Sequence, residues 1–326
     1  MEFILGLPYV LKRLTYGEAL SMRLVSRRVK EVVDEVGIEK MVEIGKENLC
    51  LALCPMVKDC YILDLCDTLL KMPIVMNKIC VQEFQDYSHW ESRIFEVRTD
   101  SVLTGETIFL VPEGTEELII SPWIVRGFPM VGDMKFNKLT LGLGADERSI
   151  DVVEMDLTNI NTKVLEFEEP CIETLLRIGD NVDEIVFECD YIGEPVYTCT
   201  GGRNVHKIRI EGVHHLSTRI REVTECFEEL EELEVLTCIV SDNKQNVLDV
   251  LDGIKRVRLE LGGRYADISI ILPSTVELFS AYVWEMWPGG DNEAMDLIVT
   301  YTKMPEVFDI RIKDENIRVV ERVVHE

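Results

Sequence analysis

The chain has 326 residues, 47% of them apolar and 29% charged, enough to bury a large core and to form more than one domain. Its formal net charge is −26, yet residues 1–40 carry seven Lys/Arg against six Asp/Glu, which leaves −27 for the remaining 286 residues. A field of that sign repels phosphate backbones and argues against nucleic acid as a partner; any charged partner is expected to be basic.

The first forty residues read as helices. Leu7, Val10, Leu11 and Leu14 follow the spacing of one helical face, with Pro8 suited to the first turn, where its missing N–H is not needed. Thr15-Tyr16-Gly17-Glu18 has the form of a capping box, and the apolar set Leu20, Leu24, Val25, Val29, Val32, Val33 and Val36 continues with helical period until Gly37. Lys12, Arg13, Arg23, Arg27, Arg28 and Lys30 fill the other face. Residues 38–75 are too apolar for a linker and are expected to add further helical packing. The early run FILGLPYVL has neither the basic residues nor the cleavage site of a secretory signal. No apolar run has the length needed to span a bilayer, so a cytoplasmic or nuclear location without a membrane partner is expected.

From about residue 90 short strand-like phrases recur. One anchor in each, at Leu118, Leu139, Leu165, Ile185, Ile208, Leu233, Val257, Val276 and Ile310, gives steps of 21, 26, 20, 23, 25, 24, 19 and 34 residues, with a mean of 24. A period of that length with one x-Leu-x-Leu strand per repeat suits a leucine-rich-repeat solenoid, in which each coil lays its strand beside the last. Between the strands, IREVTECFEEL and NVLDVLDGI read as helical or irregular, and NEAMDLIVTYTKM as a helix. An α/β fold with a doubly wound parallel sheet is the alternative, but nine strands of four to seven residues fit a horseshoe better.

The stretch Leu14-Thr15-Tyr16-Gly17-Glu18-Ala19-Leu20-Ser21-Met22-Arg23-Leu24-Val25-Ser26-Arg27-Arg28-Val29 resembles the second half of an F-box, with Leu7-Pro8 as its opening pair. The segment between Pro8 and Val25 is about five residues shorter than the family pattern, and Val29 stands where the family usually has an aromatic. The resemblance implies a small helical module that docks on the adaptor subunit of a cullin-type ubiquitin ligase, followed by leucine-rich repeats. The expected fold is therefore α/β, a leucine-rich-repeat horseshoe over residues 41–326 behind an F-box-like module at 1–40. Adaptor contact falls to Leu7, Pro8, Leu11 and Leu14, with Leu20, Leu24 and Val25 contributing, and the repeat face takes an unknown target protein. Alternatively these residues only seal the end of the solenoid, as every repeat array requires.

Nothing in the sequence composes a catalytic or cofactor site. The ten cysteines, at 50, 54, 60, 66, 80, 171, 189, 199, 226 and 238, sit in apolar runs without secreted-domain framing and are expected to be reduced. Cys50, Cys54, Cys60 and Cys66 form the densest group of metal-capable residues, but only the first two have zinc-site spacing, so they are expected as small buried hydrophobes rather than metal ligands. His214 and His215 are neighbours and cannot easily share a ligand on a strand. Gly201-Gly202-Arg203 and Gly262-Gly263-Arg264 read as turns between coils, the glutamates of 228–234 as a solvated flank, and Tyr282, Trp284 and Trp287 as the best candidate recognition patch.

Overall fold

The computed structural model describes residues 16–24, 26–36, 41–104, 106–107, 109–125, 135–142, 153–168, 174–188, 197–213, 216, 218–240, 246–264, 266–287, 295–313 and 316–324. The chain divides into two compact units. Unit 1 comprises Met1–Ser101 with Glu106–Pro122, and unit 2 comprises Val102–Gly105 with Trp123–Glu326.

Among the described residues, unit 1 opens with two short helices, α1 (Tyr16–Arg23) and α2 (Arg27–Val36). Ala19 of α1 and Val29 and Val33 of α2 are buried together with Met56, and Met22, Val32 and Cys54 close the sides of this cluster. The partly buried Arg23 lies 2.7 Å from Asp34, whose backbone carbonyl also accepts from Lys58. The strands β1 (Val42–Ile44), β2 (Asp59–Ile62), β3 (Val75–Val81) and β4 (Glu91–Leu103) then pair in parallel, one after another, and β5 (Glu117–Val125) lies beside β4. The short helix α3 (Asp67–Leu70) interrupts this series. The further helical packing expected for 38–75 is therefore only partly present: a 3-10 turn (Leu49–Leu53) and α3 alternate with β1 and β2, while Cys60/Ile62 on β2 and Ile79/Val81 on β3 each place buried apolar residues on one face of a strand. Tyr87, Trp90 and Phe95 fill the centre of unit 1, with ring centroids 4.7 and 5.1 Å from the tyrosine.

Unit 2 is a parallel β solenoid. In chain order it holds β6 (Lys135–Gly142), β7 (Val153–Leu157), β8 (Asn161–Glu168), β9 (Thr174–Ile178), β10 (Glu184–Glu188), β11 (Tyr197–Gly201), β12 (Lys207–Glu211) and the helix α4 (Thr218–Thr224). There follow β13 (Glu232–Val240), β14 (Asn246–Asp249), β15 (Arg256–Arg264), β16 (Ile268–Leu272), β17 (Leu278–Trp287), β18 (Met295–Tyr301), β19 (Val307–Ile312) and β20 (Ile317–Val323). Alternate strands build one long ladder, β6-β8-β10-β12-β13-β15-β17-β19, while the return legs form two shorter sheets, β7-β9-β11 and β14-β16-β18-β20. Helix α4 follows β12 and touches both β11 and β14, so it takes the place of a strand between the two shorter sheets.

The ladder confirms a solenoid and corrects its kind. Successive strands lie side by side in chain order, which a doubly wound sheet does not do. Most return legs, however, are strands, so the α/β horseshoe with helices behind its strands is not what forms. Asn246–Asp249, expected as helical or irregular, and Met295–Tyr301, expected as a helix, have every second residue buried: Asn246 and Leu248 in one, Met295, Leu297, Val299 and Tyr301 in the other. That period of two belongs to a strand with one face in the core. The inward column of the ladder is Leu139, Leu165, Ile185, Ile208, Leu233, Val257, Phe279 and Phe308. The structural anchors of the last two coils are therefore Phe279 and Phe308, where the sequence suggested Val276 and Ile310. The irregular final steps of 19 and 34 residues become 22 and 29, nearer the mean of the array.

Candidate interaction surface

Because strands alternate their side chains, the residues flanking the inward column face out, and most of them from β8 to β15 are charged. Register places these neighbours in lateral rows. One row runs Glu166, Val186, Arg209, Glu234, Arg258, Ser280, Asp309, and the row beside it runs Glu184, Lys207, Glu232, Arg256, Leu278, Val307. Opposite charges thus meet on neighbouring strands, the arrangement in which cross-strand pairs help a sheet.

The pairs are made. Lys207 lies 3.4 Å from Glu184 and 3.2 Å from Glu234, and Arg209 reaches Glu234 at 3.0 Å, Glu211 at 3.5 Å and Glu184 at 3.6 Å. Lys138 holds Glu166 at 2.8 Å, and Arg256 pairs with Glu232. Burial works to raise the Glu234 carboxyl, but the hydrogen bonds and charges of Lys207 and Arg209 outweigh it and hold the group below its usual range. Burial likewise opposes the Arg209 charge, and Glu234, Glu184 and Glu211 overcome it. These central groups are locked to one another.

Toward β19 the face opens. Arg258, Glu260, Ser280, Tyr282, Asp309 and Arg311 line a groove of about 550 Å³ over β15, β17 and β19. Its ion pairs run along single strands, Arg258 to Glu260 at 2.7 Å and Arg311 to Asp309 at 2.9 Å, and both arginines are more than half exposed. Tyr282 is 40% exposed between them. Of the aromatic patch expected at 282–287, Tyr282 therefore faces outward. Trp284 is half-buried, and the side chain of Trp287 lies outside the described residues. The groove residues were not singled out in the sequence apart from Tyr282; the signal that finds them is the alternation of Arg-x-Glu, Ser-x-Tyr and Asp-x-Arg on three strands in register.

Of the residues expected to meet a ligase adaptor, Leu7, Pro8, Leu11, Leu14 and Val25 lie outside the described residues. Leu20 belongs to α1, with its side chain outside the description, and Leu24 follows α1 with 84% of its surface exposed. Val29, at the family's aromatic position, is buried in the helix cluster, and Arg23 turns to Asp34 instead of joining a basic outer face.

The first cysteines separate. Cys60 is buried on β2, whereas Cys50 is exposed and Cys54 and Cys66 are half-buried, so only Cys60 of the four meets the expectation of a buried hydrophobe. Among the described residues, the metal-capable side chains that do converge are Glu166, Glu168 and Glu188, whose oxygens lie within 4.8 Å of one another; Glu166 already pairs with Lys138 and accepts from Thr140. His206 is exposed and its Nδ1 sits 3.3 Å from the Glu229 carbonyl, while His214, His215 and His325 lie outside the described residues. Among the described residues no helix is long and apolar enough to cross a membrane.

Gly201 and Gly202 have φ of +83° and +66° and turn the chain out of β11, as a turn between coils requires. Gly262 does something else: it leaves room for the ring of Trp284. Compared with protein-family models, with curated proteins and with solved structures, the chain finds no match.

Proposed function

We propose that this chain is a non-enzymatic, intracellular protein-interaction solenoid that holds a target protein on the outward strand face of unit 2. The observation that carries the reading is the groove over β15, β17 and β19, where an exposed tyrosine stands between two arginines and two carboxylates. Tyrosine and arginine contribute disproportionately to protein interfaces. Exposed ion pairs are worth only about 0–1 kcal/mol each, so a partner's charges can replace the Arg258–Glu260 and Arg311–Asp309 pairs at small cost. The locked pairs around Arg209 and Glu234 keep the adjoining strands in register and present a fixed surface beside the groove.

A narrower reading adds a ubiquitin-ligase link. On it, residues 1–40 hold the ligase adaptor as an F-box-like module and the leucine-rich strand face selects the target, so that the protein acts by bringing a target near chemistry housed in another subunit. The resemblance over 14–29 and the exposed Leu24 support this. The burial of Val29 and Val33 against Met56 favours the plainer alternative, in which the helices seal unit 1 and the scaffold has no ligase link.

Cross-linking and affinity capture from cells with wild type, Tyr282→Ala/Arg311→Glu and Leu11→Asp/Leu24→Asp tests both. Loss of specific protein partners from the groove variant alone, with its fold retained, is the expected result. Retention of every partner by that variant would overturn the surface. Loss of a cullin-ligase adaptor from the helix variant alone supports the ligase link, and its absence from all three samples removes that link.

A further inference from the structure

Among the described residues, β19 is the last strand of the long ladder and has one ladder neighbour, β17. Val307 and Lys313 donate their amides to the carbonyls of Glu277 and Val283 on that side. Because successive residues of a strand alternate, the N–H and C=O groups of Phe308, Ile310 and Ile312 point the other way, along the outer edge. The side chains of these three continue the inward columns of Phe279, Ala281 and Val283, yet they are only half-buried where those three are fully covered. An edge of this kind is a template for a strand of another chain. Asp309 and Arg311 face outward on the same edge. Lys207 and Glu234 meet across neighbouring strands, but the β17 residues beside Asp309 and Arg311 are Ser280 and Tyr282, so these two charges pair with each other along β19 at 2.9 Å.

We propose that β19 is a self-association edge, which pairs antiparallel with β19 of a second copy of this chain about a two-fold axis at Ile310. In that register Ile310 faces Ile310 of the second copy, and Phe308 faces its Ile312. The edge-directed amides and carbonyls of these residues then form hydrogen-bonded pairs, with their apolar side chains on the inward face. Asp309 and Arg311 fall at the closer, non-hydrogen-bonded positions, where each stands opposite the other residue's counterpart in the second copy. Sliding by two residues also keeps the apolar side chains inward, but it sets Asp309 against Asp309 or Arg311 against Arg311. Charge therefore selects one register. The contact is isologous and closes at two chains. It needs no target protein and is measured on the purified chain alone, so its failure leaves the target-binding reading untouched.

The test is sedimentation equilibrium of the full chain over a concentration series. Salt at about 0.15 M confines the repulsion between two chains of net charge −26 to a range of about 8 Å. The expected result is a monomer–dimer equilibrium, with hydrogen exchange at Phe308, Ile310 and Ile312 slowing as concentration rises. Asp309→Arg or Arg311→Asp alone should raise the dimer dissociation constant about tenfold or more, since each sets two like-charge pairs across the axis. An equal mixture of the two variants should restore the dimer, because every like-charge pair then becomes an opposite pair. The idea is overturned by a single-chain mass throughout the series, by larger open polymers, by a dimer without slowed exchange on β19, or by a mixture of folded variants that stays monomeric. Wild type alone decides the first three outcomes, so a variant that fails to fold does not rescue the proposal.

Discussion

The indole of Trp284 covers Gly262 so closely that a Cβ built at position 262 would stand 2.2 Å from the ring carbon Cε2. The ladder explains the contact. Leu261 on β15 pairs with Val283 on β17, but Gly262 pairs with Glu285, so Trp284 is an extra residue on its strand. A bulge of this kind re-aims a side chain, here across the neighbouring strand. Gly262→Ala must push the ring aside or bend β15, and overpacking of this sort costs about 1–3 kcal/mol. A urea titration should show a lower midpoint with an unchanged slope. No change in midpoint would mean that the ring moves freely.

Phe167 and Phe187 stack in the core of unit 2 with ring centroids 5.6 Å apart and planes at 15°, both fully buried. They occupy one rung of the β8–β10 ladder, so each also supports the strand on its far side. Phe187→Ala should cost about 3–5 kcal/mol, from lost burial and the cavity left behind. Phe187→Leu should cost clearly less. Equal losses for the two would show that the core closes around the smaller residue.

Glu234 supplies a pH dependence of known sign. Its folded-state pKa is lowered by Lys207 and Arg209 against the pull of burial, so at neutral pH the folded state gains stability from its charge. That gain is complete above the unfolded carboxyl range near 4.5 and is lost as pH falls through the depressed folded value. Glu234→Gln should destabilise the chain at pH 7, and the difference from wild type should shrink as the pH drops below about 4.5. Thermal melts at several pH values read this directly. A difference that stays constant into the acid range would assign the loss to shape instead of charge.

The period of unit 2 was legible in the sequence because inward residues at Leu139, Leu165, Ile185, Ile208, Leu233 and Val257 recur in coils of similar length. The return legs were misread for a physical reason. Short apolar runs such as those at 246–250 and 295–301 satisfy helical and strand spacing nearly equally, and the alternation at Met295, Leu297, Val299 and Tyr301, with branched residues between, was the discriminating pattern. The slip at Val276 and Ile310 came from aligning strand phrases by leucine-like residues, whereas phenylalanine fills the column in the last coils. The groove was hidden because it is made of three residue pairs from three strands, about 22 and 29 residues apart, which only register brings together.

Leu24 and Val33 separate docking from sealing. Leu24 is 84% exposed just beyond α1, whereas Val33 on α2 is fully buried against Ala19, Val29 and Met56. If the helices only seal unit 1, their contribution lies in that cluster, and Leu24 has nothing to do. Leu24→Asp should therefore change stability by no more than about 0.5 kcal/mol, as surface substitutions away from special features do. Val33→Ala removes buried methyl groups and should cost about 1–3 kcal/mol, since each buried methylene is worth about 0.8 kcal/mol before any cavity term. With stability so divided, partner capture by the Leu24→Asp chain becomes a clean measurement. Loss of an adaptor from a stably folded Leu24→Asp protein places a docking surface beside α1, while full retention leaves the helix pair with its packing role alone.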